Sequence, residues 1–499
     1  MSTAEPWAAT RESLNRLLDR LESPETAGYT LQQLEATIGE MGRAVERQAL
    51  QDRLNRQTQH EQRAEEIHDA AGVEHSHVEA QHVRTLGTVF GEVHFSRLAY
   101  RQPGTANLHP ADAELQLPDE SYSYSLRRLA AIEAARGSYG EAVESIARTT
   151  RAPTTELHKR QIEALARRSA QDFDDFYAAA ERPAPAPGEV LCLSCDGKGI
   201  VMIPAALRPA TAKAAAKADH QLATRLSKGE KPNRKRIAEV GAVFTVVPVP
   251  RTPTDILGQL GQKRRKVGPH ATSKWVMASV VENAAVVIGR IFDEAERRDP
   301  EHRATWLALV DGNRDQIRSI RNEAKRRGVR LTLLIDLIHV LEYIWRAAWC
   351  FFDPDSPKAA EDWVLEKGLA VLAGDASVVA AAVRRKATTH KLKPTKRLAA
   401  DRCADYLLHQ RAFLDYPTAL RQGWPIATGV IEGTCRQLVK DRMDITGARW
   451  GLDSAEAILK LRALRSNGDF DRYWDYHLTR EYERVHAARY AGASVPTAY

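Results

Sequence analysis

Long apolar runs are missing from this chain. No stretch of its 499 residues approaches the roughly 20 apolar residues that span a bilayer, and no apolar core of the signal-peptide kind follows Met1. Membrane insertion and secretion are therefore not expected, and a cytoplasmic location is. Cysteine is scarce: five residues, odd in number and scattered, which argues against a disulfide scaffold and suits a reducing compartment. Cys192 and Cys195 form a C-x-x-C, but residues three apart on a strand face opposite sides, so they are assigned to core packing rather than to a shared metal. Internal repeats are absent too. What remains is the composition of a globular protein, 43% hydrophobic and 27% charged, long enough for two to four domains. A net charge of +7 favours a polyanionic partner.

Residues 1–82 read as a helical N-terminal region. Leu31, Leu34, Ile38, Met41 and Val45 repeat at alternating three and four, a short heptad seam that pairs protomers or, at this length, packs on its own domain. A tract carrying His68, His75, His77 and His82 has no tight ligand spacing and is expected as a solvated helix. Residues 83–101 alternate as two short strands bending at Gly87 and Gly91. Residues 138–168 then show a helix, a break at Ala152-Pro153, a cap at Thr154 or Thr155, and a second helix. Lys159 and Arg160, beside His158, lie in its first turns, where the recognition helix of a helix-turn-helix meets DNA; the alternative is two packed helices with a basic face. Residues 83–180 thus make a hairpin plus a helical DNA-binding region, and the Pro-rich stretch 181–189 is a stiff linker.

The stretch 191–202, LCLSCDGKGIVM, reads as a buried strand presenting Asp196, a Gly-Lys-Gly turn and a second strand. Burying that charge is costly without a cation or several donors, although an Asp capping its own turn is the competing reading. Strands at 240–248 and 275–280 follow, with basic runs at 231–236 and 262–266 that are phosphate contacts or solvated charge. A helix (284–298), a strand (306–310) ending in Asp311-Gly312, another helix, and a strand (331–335) ending in Asp336 complete residues 190–345. Residues 346–420 are helical, and 421–499 carry C-terminal helices.

Asp311 repeats the Asp196 pattern. Two such acids on neighbouring strands suit hard cations, and a pair of ions about 3.5–4 Å apart stabilises both oxygens of a phosphoryl displacement. Glu432 is the candidate third acid, on a helix where Arg436 and Lys440 follow at i+4 and i+8 as phosphate contacts or as a plain ion pair. His339 follows Asp336 by three residues in an apolar helix, either as a core histidine or as part of the site. Trp450 is core or a stacking surface for an unpaired base, and Arg449 beside it grips phosphate or pairs with an acid.

Strand-Asp196-Gly, strand-Asp311-Gly, a helical insertion and Gly-Val-Ile-Glu432 resemble the DDE transposases. The stretches 335–345 (IDLIHVLEYIW) and 428–432 (TGVIE), with Arg442-Met and Gly447-Ala-Arg-Trp450, resemble bacterial insertion-sequence transposases of the Kra type, relatives of the Mutator-like group. The resemblance covers about 190–475 and implies an α/β fold: a ribonuclease H-like mixed-sheet core with an all-helical insertion, preceded by a mainly helical region with a small β-hairpin. It implies that Asp196, Asp311 and Glu432 hold two Mg²⁺ or Mn²⁺ ions. It implies, too, that Asp336 and His339 support the site or touch DNA, with Arg442 among the DNA contacts. The implied activity is metal-dependent cleavage of element ends and strand transfer into target DNA, by a homo-oligomer when DNA-bound, in a bacterial cytoplasm near the nucleoid. The alternatives are a metal-dependent nuclease without strand transfer and a DNA-binding protein on an inactive scaffold. Members of the group often carry a zinc-ribbon Cys-x-x-Cys after the N-terminal strands; here Arg101-Gln-Pro-Gly104 has no cysteine, so no zinc is expected.

Overall fold

The computed structural model describes residues 7–150, 157–217, 234–258, 268–353, 355, 357–445 and 447–499. The break and cap expected at 152–155, half of the basic run 231–236 and all of 262–266 lie outside these. The chain divides into two compact units, Ala179–Asn467 and the remainder, up to Ala178 with Gly468–Tyr499.

The first of these units is mixed α/β. Five strands, β3 (Val190–Val201), β4 (Lys235–Val246), β5 (Ala271–Ser279), β6 (Thr305–Val310) and β7 (Leu331–Ile335), lie in the order β5-β4-β3-β6-β7. β3, β4 and β5 pair antiparallel as a meander, whereas β6 and β7 run parallel to β3. Parallel neighbours need crossovers, and the helices Ala284–Arg298 and Arg314–Arg327 occupy the two connections. Both faces are covered. Ile291 of the first crossover helix presses on Gly241, where an added Cβ would lie 2.7 Å from it, and Gly241 pairs with Cys195. Asp196, one residue further, meets Cys435 instead, and successive strand residues face opposite sides. This two-sided burial explains the continuous apolar run Val190–Leu193 and confirms Cys192 and Cys195 as buried core.

β3 corrects one expectation. It runs unbroken through Asp196-Gly-Lys-Gly199, with Gly197 opposite Glu239 and Gly199 opposite Ile237. The glycines make room rather than a turn: an added Cβ at Gly197 would lie 2.8 Å from the Ile237 side chain, and one at Gly199 2.8 Å from that of Lys235. The helical block expected at 346–420 is present as Pro357–Leu372, Ala376–Thr389, Pro394–His409 and Tyr416–Gln422.

In the other unit, Ala8–Glu22 pairs with Leu31–His60, the latter opened by a Thr30/Gln33 capping box. The heptad seam stays largely at the surface, with Leu31 72% and Ile38 47% exposed. The hairpin is longer than its alternation suggested, β1 (His77–Thr88) against β2 (Gly91–Arg101). It absorbs His77 and His82 into a strand, and His75 is buried with Nδ1 3.1 Å from the Tyr100 carbonyl, so the histidine tract is no solvated helix. The second helix of the helix-turn-helix candidate begins at Lys159, with His158 as its cap. It packs with Tyr139–Thr150 and Tyr124–Arg136 through Ile162, Leu165 and Ala142, leaving Lys159 and Arg160 exposed. The C-terminal helix Phe470–Val485 belongs here rather than with the core. Its Glu481 and His477 meet Arg127, all three fully buried, and His477 Nδ1 lies 2.6 Å from Asp172.

Candidate metal centre

Strand register assembles the site. Ser194 pairs with Leu309 and Val310 with Ile335, so continuing the register brings Asp196, within β3, into one row with Asp311 and Asp336, which follow the carboxyl ends of β6 and β7. The Asp336 amide donates to the Val310 carbonyl at 2.8 Å, which holds the last step of that row. Crevices outside the carboxyl ends of strands are where open α/β sheets bind ligands.

Asp336 is fully buried. Its Oδ1 accepts from the Ile338 amide at 2.8 Å, capping the helix Leu337–Ala348, and its Oδ2 accepts from the buried Thr428 hydroxyl. Thr428 in turn begins the helix Gly429–Thr434, so this bond fixes the helix that carries Glu432. Among the described residues no Lys or Arg pairs with Asp336, and two neutral donors do not balance a buried charge. The group that faces it does so in another way. Ligand atoms of Asp336, His339 and Glu432 all lie within 4.8 Å of one another, with His339 partly and Glu432 largely exposed. One divalent ion with bonds of about 2.1 Å holds its ligands no more than about 4.2 Å apart, so closing by roughly half an ångström suffices. The two outer side chains have room for that movement. The residues present fit a divalent cation.

Asp196 and Asp311 lie beside this trio. Asp196 accepts from the Gly197 amide at 2.6 Å and the Cys435 thiol at 3.4 Å, and pairs with Lys198 at 2.9 Å. Burial, then the charge of Asp196, pushes the Cys435 thiol up and keeps it a donor. Burial pulls Lys198 down, but the bond and charge of Asp196, with Cys435 and Glu432 behind them, outweigh it and raise its ammonium. Asp311 accepts from the Asn313 amide at 2.8 Å, and the Tyr406 hydroxyl donates to its carbonyl at 3.0 Å. Glu239, across the ladder from Gly197, is raised by burial and by the Asp196 charge.

The structure therefore gathers all three expected acids in one region but groups them differently. Among the described residues the tight metal-competent trio is Asp336, His339 and Glu432, whereas Asp336 and His339 were expected as support and DNA contact. Glu239, Lys198 and Cys435 were missed. Glu239 stands two residues before Gly241 in a strand with no acid-Gly signal, and Cys435 reads from sequence as one more apolar position.

The row of cations after Glu432 also changes. Residues Cys435–Lys440 form a π-helical turn, which widens the repeat and breaks the i, i+4, i+8 alignment of Glu432, Arg436 and Lys440. Arg462 donates to the Gln437 and Leu438 carbonyls at 3.0 Å, satisfying groups that the wider turn exposes. Arg436 and Lys440 are exposed, Arg436 3.6 Å from Asp441, and Arg449 is exposed as well. Arg442 and Trp450 are buried, at 3% and 5%. The guanidinium stacks 4.6 Å above the indole, whose N–H donates to the Met443 carbonyl at 3.1 Å. Trp450 further bridges to the end of β3, its amide donating to Val201 at 3.0 Å. These two expected DNA contacts are packing residues, because closing this corner of the sheet takes the ring that a base would need.

No helix of the described residues is long and apolar enough to cross a membrane. No protein-family model matches the chain, and no curated protein matches it.

Proposed function

We propose that the chain is a metal-dependent DNA-cleaving and strand-transferring enzyme of the DDE transposase type, with a ribonuclease H-like core. One observation carries the reading: Asp196, Asp311 and Asp336 stand in a row on three adjacent parallel strands, and Glu432 and His339 face Asp336. The strand order β5-β4-β3-β6-β7, with an antiparallel meander beside two parallel strands, supports the core assignment. Asp336, His339 and Glu432 would hold one divalent cation, and Asp196 and Asp311 would share a second with them. Such ions neutralise phosphoryl oxygens and lower the pKa of water. The imidazole favours Mn²⁺ over Mg²⁺, which prefers an all-oxygen shell.

The chain's own groups do the rest. Thr428 orients Asp336, the Gly197 amide and Cys435 thiol hold Asp196, and Lys198 supplies a cation that a scissile phosphate can exchange against Asp196. Exposed Lys159 and Arg160 on their helix, with Arg436, Lys440 and Arg449, offer phosphate contacts outside the site. The test is cleavage of labelled duplexes carrying the ends of an element that encodes this chain, in Mn²⁺. D196N, D311N and E432Q are expected to lose cleavage by at least about 100-fold while binding DNA as before. Full activity of D311N overturns the reading. Cleavage without strand transfer is the alternative, and the compactness of the three-ligand group, which suits a single ion, favours it.

A further inference from the structure

Beside the acidic row lies a pocket of about 480 Å³, a volume in the range that holds a small organic ligand. Arg314, Arg318 and Arg321 line it from the helix Arg314–Arg327, which begins three residues after Asp311; His409 and Phe413 face them, over Ile317. The three arginines fall at i, i+4 and i+7, one helical face. Only one of them is neutralised: Arg318 pairs with Asp315, both groups largely exposed, whereas among the described residues neither Arg314 nor Arg321 has a carboxylate partner. Three guanidinium groups against one carboxylate leave a concave surface with two charges to spare. The pocket is also tied to the acidic row. Gln410 lines it and donates to the Gly312 carbonyl at 2.8 Å, and Tyr406, one turn earlier on the same helix, donates to the Asp311 carbonyl.

We propose that this pocket binds one unpaired nucleotide of a DNA strand, its flanking phosphates on Arg314 and Arg321 and its base against the Phe413 ring. The ligand class rests on the DNA reading above; the site itself rests on the pocket. Guanidinium forks match phosphate oxygens, and an aromatic ring in a cationic pocket is the arrangement that holds single-stranded bases without regard to sequence. A strand bound here leads directly to Asp311.

The test is fluorescence anisotropy of the full chain with a labelled 12-nucleotide single strand and the matching duplex, in EDTA so that no metal or cleavage enters. R314A/R321A is expected to weaken single-strand binding about tenfold or more and to lower the slope of log K against log salt by about 1.4, two phosphates at 0.7 each. R314K/R321K keeps the charge and retains most of the slope. F413A is expected to weaken the single strand by at least about fivefold and the duplex by less than about twofold, with F413Y restoring binding. Thermal melting of each variant checks the fold. Single-strand binding by R314A/R321A and F413A within about twofold of the parent overturns the proposal. The two readings separate cleanly: a parent chain that cleaves while the pocket variants bind normally fails this proposal alone, and a parent that never cleaves while the variants lose single-strand binding fails only the transposase reading.

Discussion

Replacing Asp336 separates its two jobs. In D336A the helix Leu337–Ala348 loses the acceptor for its Ile338 amide, and the buried Thr428 hydroxyl is left without its partner. A lost cap costs about 1 kcal/mol and a stranded buried hydroxyl about 1–3 kcal/mol, so the expected loss is about 2–4 kcal/mol. At 2–4 °C per kcal/mol, that lowers Tm by roughly 4–16 °C. D336N keeps one oxygen for the amide, and its new –NH₂ donates to the Thr428 oxygen, so its metal-free stability stays within about 1 kcal/mol of the parent. The metal response is expected to divide the variants differently. A parent site filled at 100 times its Kd gains about 2.7 kcal/mol, and D336N, H339Q and E432Q should each lose most of that gain. The assay is thermal melting in EDTA and across a Mn²⁺ titration. A D336N protein stabilised by Mn²⁺ like the parent refutes the ligand role. A D336A protein as stable as the parent without metal refutes the capping role.

Other expectations follow from the same contacts. Burial raises the Glu61 carboxyl from its usual 4.5 to about 7, against the opposing bond from the Leu98 amide. The folded chain therefore holds a proton that the unfolded chain releases first, and stability should fall as pH rises between those values; with Glu61 only half buried, about 1 kcal/mol is at stake after screening. E61Q should flatten that slope and be the more stable protein at pH 8 in urea unfolding, and an unchanged slope refutes the assignment. R127M takes one guanidinium from buried Glu481, which keeps Arg484 and, at 3.7 Å, Arg168, and should cost about 1.5–3 kcal/mol, part of which R127M/E481Q recovers; equal stability of single and double variants by urea titration contradicts the pairing. G197A drives a methyl into Ile237 and should cost about 1–3 kcal/mol, with I237A partly relieving it. Melting curves as steep and as high as the parent's for G197A mean that the ladder relaxes without strain.

The strands and their acids are legible locally, because a buried strand is a continuous apolar run and an Asp in or just after it stands out. The strands at 306–310 and 331–335 and the helical block after them follow directly from that pattern, and the structure places them as expected. The sequence by itself determined that Asp311 and Asp336 would follow strand ends and that Asp196 would interrupt an apolar strand. It did not determine which of them meet. That depends on strand order and register, long-range pairings with no local trace: β7 beside β6 sets Asp336 next to Asp311, and a single bond from Thr428 brings Glu432 to Asp336 and His339. Trp450, open in the sequence between core and a stacking surface, and Arg442, expected on DNA, were placed by the fold for the same reason. Their side chains suit a base or a phosphate as well as a packed corner, and only the end of β3, lying against them, made them interior. The pocket at Arg314, Arg318 and Arg321 has half of its cause in the sequence, a basic helix face, and half in the fold, which lays His409 and Phe413 opposite that face from nearly a hundred residues away.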